Sequence, residues 1–361
     1  MVQRRQVIYN NSVEYHLYDN PGALMKTDMP LSKPIRRFLN QTEELLDTEI
    51  SLLRQPDTEP GGSLVDIYTF DIDRNVIILP AHYIGLLKDF IIAKQCTQLM
   101  IKGAAAKKDG YLVCSYTEDS VYRGMRQIYL DALKDEAKKE NKLPVQKLIQ
   151  MLFILFSHFN EDINELPWNP IVNAGVYHRM PKIRKTQLYH VMKESKNDMD
   201  EMMEQESIIP RRYFVLDKAM FYARDMFLAK TLPADELMPV LNIPQMKKFN
   251  HLEVKEMLTT RWTHTAWYQS KVFGDTMLEI MERPLSQVNW SAEPTIDYYY
   301  DLYKIGVNLT NHFLSYMTMK DWFIWESPQH LLNALERKEV YEKVALKKIF
   351  GDLIGDSWED S

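Results

Sequence analysis

The sequence predicts a mainly α-helical protein, with an α+β section carrying short β-hairpins at residues 1–143 and an all-helical section at 144–361. Three observations predict it. Apolar residues recur at helical spacing through most of the chain. Strand-like alternation is confined to short runs before residue 115. Proline is more frequent than glycine, 17 residues against 12, and in the second section it falls where helices start or stop.

The elements follow in order. Residues 6–9 and 13–17 read as strands around Asn10 and Asn11, a hairpin-type turn, and residues 19–22 end the pair. Pro34 suits the first turn of a helix whose apolar face carries Ile35, Phe38, Leu39, Leu45, Leu46, Ile50 and Leu53. Residues 55–63, with Pro56, Pro60, Gly61 and Gly62, read as a loop. Residues 64–70 and 76–79 form a second predicted hairpin around 71–75. A helix is expected from His82 toward Met100, then a lysine-bearing loop at 102–110 and a short strand at 111–114. Thr117 suits the cap of a helix reaching about Asn141. From Pro144 onward only helices are expected. The boundary between sections falls near Lys142, Leu143 and Pro144, and the two can share one core.

Composition bounds the function. Apolar residues make up 45% and charged residues 26%, a balance that can fold around a sizeable core. The net charge of −6 gives no global attraction to nucleic acid, so such binding requires a local basic patch. Cys96 and Cys114 are too few for a disulfide framework and form no CxxC pair. They read as free buried thiols in a reducing compartment, which points to the cytoplasm. The first residues hold no apolar segment of the signal-peptide kind. The most apolar stretch, 145–159, is shorter than the roughly 20 residues of a spanning helix. It also contains Gln146, Lys147 and Gln150, so it reads as a buried helix with no role in a membrane.

Motifs of common enzymes are missing. There is no HExxH, no Gly-x-Ser-x-Gly elbow, no Gly-x-Gly-x-x-Gly fingerprint and no Walker loop. Gly62-Ser63 followed by Asp71 and Asp73 resembles the magnesium-binding arrangement of nucleotidyltransferases. That family places a helix between the pair and the carboxylate strand, and here residues 64–70 alternate like a strand instead. Asp71, Asp73 and Asn75 also suit a turn, where short polar side chains bond the local backbone. Asp198 and Asp200 form a DxD pair inside an acidic, methionine-bearing run at 194–206, the pattern of a solvated helix. His251, Glu253 and Glu256 are the densest grouping of ligand-type residues, but their spacing aligns only the two glutamates. Neither a metal site nor a cofactor is expected.

The strongest functional signal is basic. Arg179, Lys182, Arg184, Lys185, Tyr189 and Lys193 follow closely on one another, and Arg211 and Arg212 lie beyond the acidic run. Arg and Lys bind phosphates, and Tyr stacks on exposed bases. Lys107 and Lys108 form a second, smaller site that would line a cleft if the two faced each other. The competing reading is a solvated face, or an internal partner for the acidic segment. The C-terminal third is rich in aromatics: Trp262, Trp267, Tyr268, Trp290, the run from Tyr298 to Tyr300, Tyr303, Trp322 and Trp325. Such rings serve a core equally well or an interface between chains.

The sequence therefore favours a non-catalytic binding and assembly protein. RNA or DNA would lie on the basic stretch, and a homo-oligomer or protein partner on the aromatic helices. A nucleoprotein or a viral or phage assembly component has such an architecture. One alternative is a metal-dependent nucleotidyl- or phosphoryl-transfer enzyme using Asp71 and Asp73. Another is a helical protein–protein scaffold.

Overall fold

The computed structural model describes residues 29–55, 62–136, 145–205, 209–232, 265–330 and 337–351. The predicted hairpin at 6–17, the section boundary at 142–144, the His251 grouping and Trp262 lie outside the described residues.

The first helix, α1 (Lys33–Leu46), has Pro34 in its first turn and buries Ile35, Phe38, Leu39 and Leu46. It ends earlier than its apolar spacing predicts. Asp47 adopts a left-handed conformation, φ 53°, and its N–H bonds back to the Glu43 carbonyl. Ile50 and Leu53 then belong to strand β1 (Ile50–Gln55). Period alone could not separate the two, because an apolar residue three or four beyond a helix fits the start of a buried strand as well.

Strands β2 (Ser63–Val65) and β3 (Asn75–Pro80) complete a three-stranded sheet in the order β1-β3-β2. The β2–β3 pair is antiparallel, as a hairpin requires, with Leu64 opposite Ile77. The β1–β3 pair is parallel, with Leu52 opposite Ile77. All six residues of the central strand are buried. The turn between β2 and β3 is organised by Asp66, fully buried, whose carboxylate accepts from the Tyr68 N–H, the Thr69 hydroxyl and the Lys102 ammonium.

Helix α2 (Gly85–Lys107) is the axle of the molecule. Helices buried on all sides lose their amphipathic stripe, and α2 shows this, with Ile91, Ile92, Ala93, Cys96, Leu99 and Ala104 fully covered. It packs on α1 and on the sheet. Residues 102–107 continue this helix rather than forming the predicted loop, since the small residues Gly103, Ala104 and Ala105 are buried in packing. A side chain at 103 would collide with Leu46 and Tyr68. Strand β4 (Val113–Ser115) follows, then α3 (Glu118–Glu136), whose start is capped by the Thr117 hydroxyl accepting from the Ser120 N–H.

The second section holds α4 (Val145–Glu165), α5 (Asn169–Arg179), a 3-10 turn at Pro181–Ile183, α6 (Arg184–Gln205) and α7 (Arg211–Thr231). Then come α8 (Thr265–Leu285), α9 (Ile296–Tyr316), β5 (Ile324–Glu326) and α10 (Lys338–Phe350). Helices α7 and α8 pack closely, because Gly274 lets α8 approach Tyr222 and the Ala219 carbonyl. The strand β5 is a departure from an all-helical section. It pairs antiparallel with β4, Trp325 opposite Cys114, and so joins the chain's two sections. One contiguous buried apolar cluster runs from Met29 to Phe350. No helix among the described residues is long and apolar enough to cross a membrane. Cys96 and Cys114 are free and buried, and burial pushes both thiols up to about 12.

Candidate functional site

The basic stretch wraps from the end of α5 through the 3-10 turn into α6, and the fold divides its residues into two groups. The arginines are largely bound inside the chain. Arg179 donates to the Ala292 carbonyl at 3.0 Å and lies 4.7 Å over the Tyr298 ring. Arg184 donates to the Tyr177 carbonyl at 2.8 Å and lies 4.3 Å over that same residue's ring. Arg212 pairs with Asp131 at 2.9 Å and donates to the Met317 carbonyl. Arg211 is exposed, and its guanidinium donates to Gln269. A planar, delocalised cation suits this role, since it bonds carbonyls and stacks on rings at once.

The lysines take the opposite course. Lys182, Lys185 and Lys193 are all exposed, and Tyr189 is half-buried among them. Lys185, Tyr189 and Lys193 are spaced four residues apart on α6, so they form one stripe along one helix face. Lys182 stands just before it in the 3-10 turn. The smaller basic site stays separate. Helix α6 meets α2 where His190 touches Phe90 and Glu194 reaches Lys94. Lys107 is thirteen residues further along α2 than Lys94, or about 20 Å along the axis. There Lys107 donates to the Leu45 carbonyl and Lys108 pairs with Asp297 at 2.6 Å.

Asp71 and Asp73 are both exposed in the turn before β3, and the Asp73 carboxylate is held by its neighbour Arg74 at 2.9 Å, which keeps its carboxyl below the usual range. The residue that orders this turn is the buried Asp66 instead.

Two charged centres are buried between helices, and sequence reasoning identified neither. In the first, α2, α6 and α7 contribute Lys94, His190 with Glu194, and Arg224 with Asp225. Glu194 lies 3.6 Å from Lys94 and 3.4 Å from the His190 Nδ1. Burial opposes its charge, but the Lys94 ammonium and the His190 imidazole outweigh burial and hold its carboxyl well below the usual range. Asp225 pairs with Arg224 at 2.8 Å and accepts from the Ser195 hydroxyl.

The second centre lies between α4 and α7. His158 Nε2 is 3.2 Å from Asp162 Oδ2 and 3.4 Å from Asp217 Oδ1. The other oxygen of Asp217 accepts from Lys218 at 2.5 Å, and both of those side chains are buried. The Asp162 carboxylate pushes the imidazole up to about 10, against burial. Burial raises Asp162 well above the carboxylate range. Burial works in the same direction on Asp217, but the Lys218 ammonium and the imidazole overcome it and hold this carboxyl low. His158 and Asp162 are four apart on one helix, a signal present in the sequence. Asp217 is far away along the chain, and only the packing of α7 on α4 brings it in.

The C-terminal aromatics serve the chain's own packing. Trp322 contacts the rings of Phe156, Phe159 and Tyr213. Trp290 stacks on His178, Tyr299 is buried, and Tyr300 bonds to Asp109. The rings of the run from Tyr298 to Tyr300 are therefore engaged within one chain. Exposed apolar surface in this part includes Tyr268, Val272 and Phe273, at 61%, 49% and 37% exposure on α8, and Val340 on α10 at 57%. No protein-family model, no curated protein and no solved structure matches the chain.

Proposed function

We propose that the protein is a non-catalytic binding and assembly protein whose α6 face, Lys182, Lys185, Tyr189 and Lys193, engages single-stranded nucleic acid. The observation that carries this reading is the division of the basic stretch. Arg179, Arg184 and Arg212 are engaged within the chain, while three lysines are exposed around one half-buried tyrosine. Evenly spaced ammonium groups track phosphates, and a ring between them offers a sequence-tolerant stacking surface. RNA and DNA both present that chemistry. The assembly half rests on Tyr268, Val272 and Phe273, which put apolar area on the outer face of α8.

The test is binding of RNA and DNA oligonucleotides over a range of salt. Combined Lys182→Ala, Lys185→Ala and Lys193→Ala substitution should weaken binding to every sequence. It should also flatten the log–log salt slope by about 2, since each phosphate contact on a single strand contributes roughly 0.7. Unchanged affinity and slope would remove the site, and protein purified with no raised 260/280 absorbance ratio and no oligonucleotide binding would leave a protein–protein scaffold. For assembly, sedimentation should show an oligomer that Tyr268→Ser with Val272→Ser shifts toward monomer. A wild-type chain that stays monomeric at high concentration refutes that half.

A further inference from the structure

We propose that His158, Asp162 and Asp217 bind one divalent transition-metal ion, of the zinc or manganese class, between α4 and α7. Their ligand atoms all lie within 4.8 Å of one another. This site is independent of the nucleic-acid reading.

The donor set comes first. One imidazole with two carboxylates suits a first-row divalent ion, being too nitrogen-rich for calcium and free of the thiolates that select soft ions. Spacing comes second. In a tetrahedral site with arms of 2.0–2.2 Å the ligand atoms stand about 3.3–3.6 Å apart. The two imidazole–carboxylate separations here are 3.2 and 3.4 Å. Two of the three separations therefore match a bound ion, and the two carboxylate oxygens stand within 4.8 Å of each other.

The state of the donor atoms is the third and independent observation. His158 Nε2, Asp162 Oδ2 and Asp217 Oδ1 are each buried, and the partners they face are one another. Asp162 is 8% exposed and Asp217 2%. Buried carboxylates are ordinarily hydrogen-bonded, because leaving one unsatisfied costs its full desolvation. Here the three atoms lie within 4.8 Å of one another and meet that need among themselves, in a spacing that an ion can also bridge.

The surroundings hold the donors in place. Lys218 takes the other oxygen of Asp217, which leaves Oδ1 directed at His158. Such outer partners fix the orientation of metal ligands. The i, i+4 spacing of His158 and Asp162 puts both on one face of α4. The His158 side chain is 32% exposed while its Nε2 is buried, so the imidazole stands at the edge of the site with its donor atom turned inward. The rival arrangement is a protonated His158 bridging the two carboxylates, with no ion at all.

The experiment uses the full chain, stripped with a chelator and dialysed, then titrated with zinc or manganese by calorimetry. The expected result is one saturable ion per chain and a raised thermal midpoint. Folding of each variant is checked by circular dichroism. His158→Gln changes a part-exposed side chain and should fold, yet should weaken affinity by at least the roughly 10–100-fold that disturbing an outer partner costs. Asp162→Asn should do the same, and both should abolish the visible absorption of cobalt-loaded protein. No saturable binding by the wild-type chain, or wild-type affinity in folded His158→Gln, overturns the proposal.

Discussion

Gly306 shows how much one absent side chain positions. It lies on α9 against Trp168, and a Cβ there would fall 2.3–2.6 Å from three atoms of the indole ring. Trp168 has little freedom to yield. Its ring lies 5.8 Å from Tyr303, whose hydroxyl accepts from the Leu112 N–H at 3.0 Å beside β4. Gly306→Ala gains about 1 kcal/mol of helix propensity. It loses more to overpacking, for which about 1–3 kcal/mol is typical, and the collision involves ring atoms with no flexible end to give way. The expected outcome is a lower urea midpoint with an unchanged slope. A midpoint at or above that of the wild type would mean that Trp168 moves freely. The same scale explains what the basic stretch concealed. Its charge was legible in the sequence. That Arg179, Arg184 and Arg212 meet the Ala292, Tyr177 and Met317 carbonyls was not, because two of those three partners lie more than 100 residues away.

At the scale of elements, the junction of α2, α6 and α7 depends on charge in a way that pH can test. Glu194 on α6 faces Lys94 from α2, Arg224 from α7, and His190 on its own helix. Its carboxyl titrates below the ordinary value of 4.5 in the folded chain. A depressed carboxyl stabilises the fold at pH above its unfolded value, and that contribution disappears progressively as the pH falls toward the folded one. The protein should therefore lose stability below about pH 4.5, and Glu194→Gln should reduce that loss. At pH 7 the same variant should be less stable by about 1–3 kcal/mol, since Lys94 and His190 lose their carboxylate. Urea unfolding at pH 7, 5 and 4 reads both effects, and a variant with the wild-type pH slope would dismiss Glu194 as the source. The helices themselves were largely visible beforehand, as the capping Thr117 and Pro34 show. Errors arose where one pattern fits two structures. Ile50 and Leu53 continue a helical period but extend a strand, and Gly103 to Ala105 resemble a loop but permit close packing.

For the whole molecule the question is whether the α+β section and the helical section are separable. Their junction is made of long-range contacts. Strand β5 supplies the only partner of β4 among the described residues. The absence of a side chain at Gly124 on α3 leaves room for Phe156 and Trp322 of the second section. Helix α10 lies against α3, and α9 against α2, so the last elements of the chain cover the first ones. Burial of this kind is lost from both partners when either is removed. A fragment of residues 1–143 would expose the α2 and α3 faces that α9 and α10 cover, and it would leave β4 as an unpaired edge. Neither 1–143 nor 144–361 should then show cooperative thermal unfolding alone. In the intact chain, tryptophan fluorescence and far-ultraviolet circular dichroism should report the same midpoint. Two separated transitions, or a 1–143 fragment that unfolds cooperatively, would establish two domains that merely touch. The contiguous cluster from Met29 to Phe350 argues for one, because no step in that packing divides the elements before residue 143 from those after it.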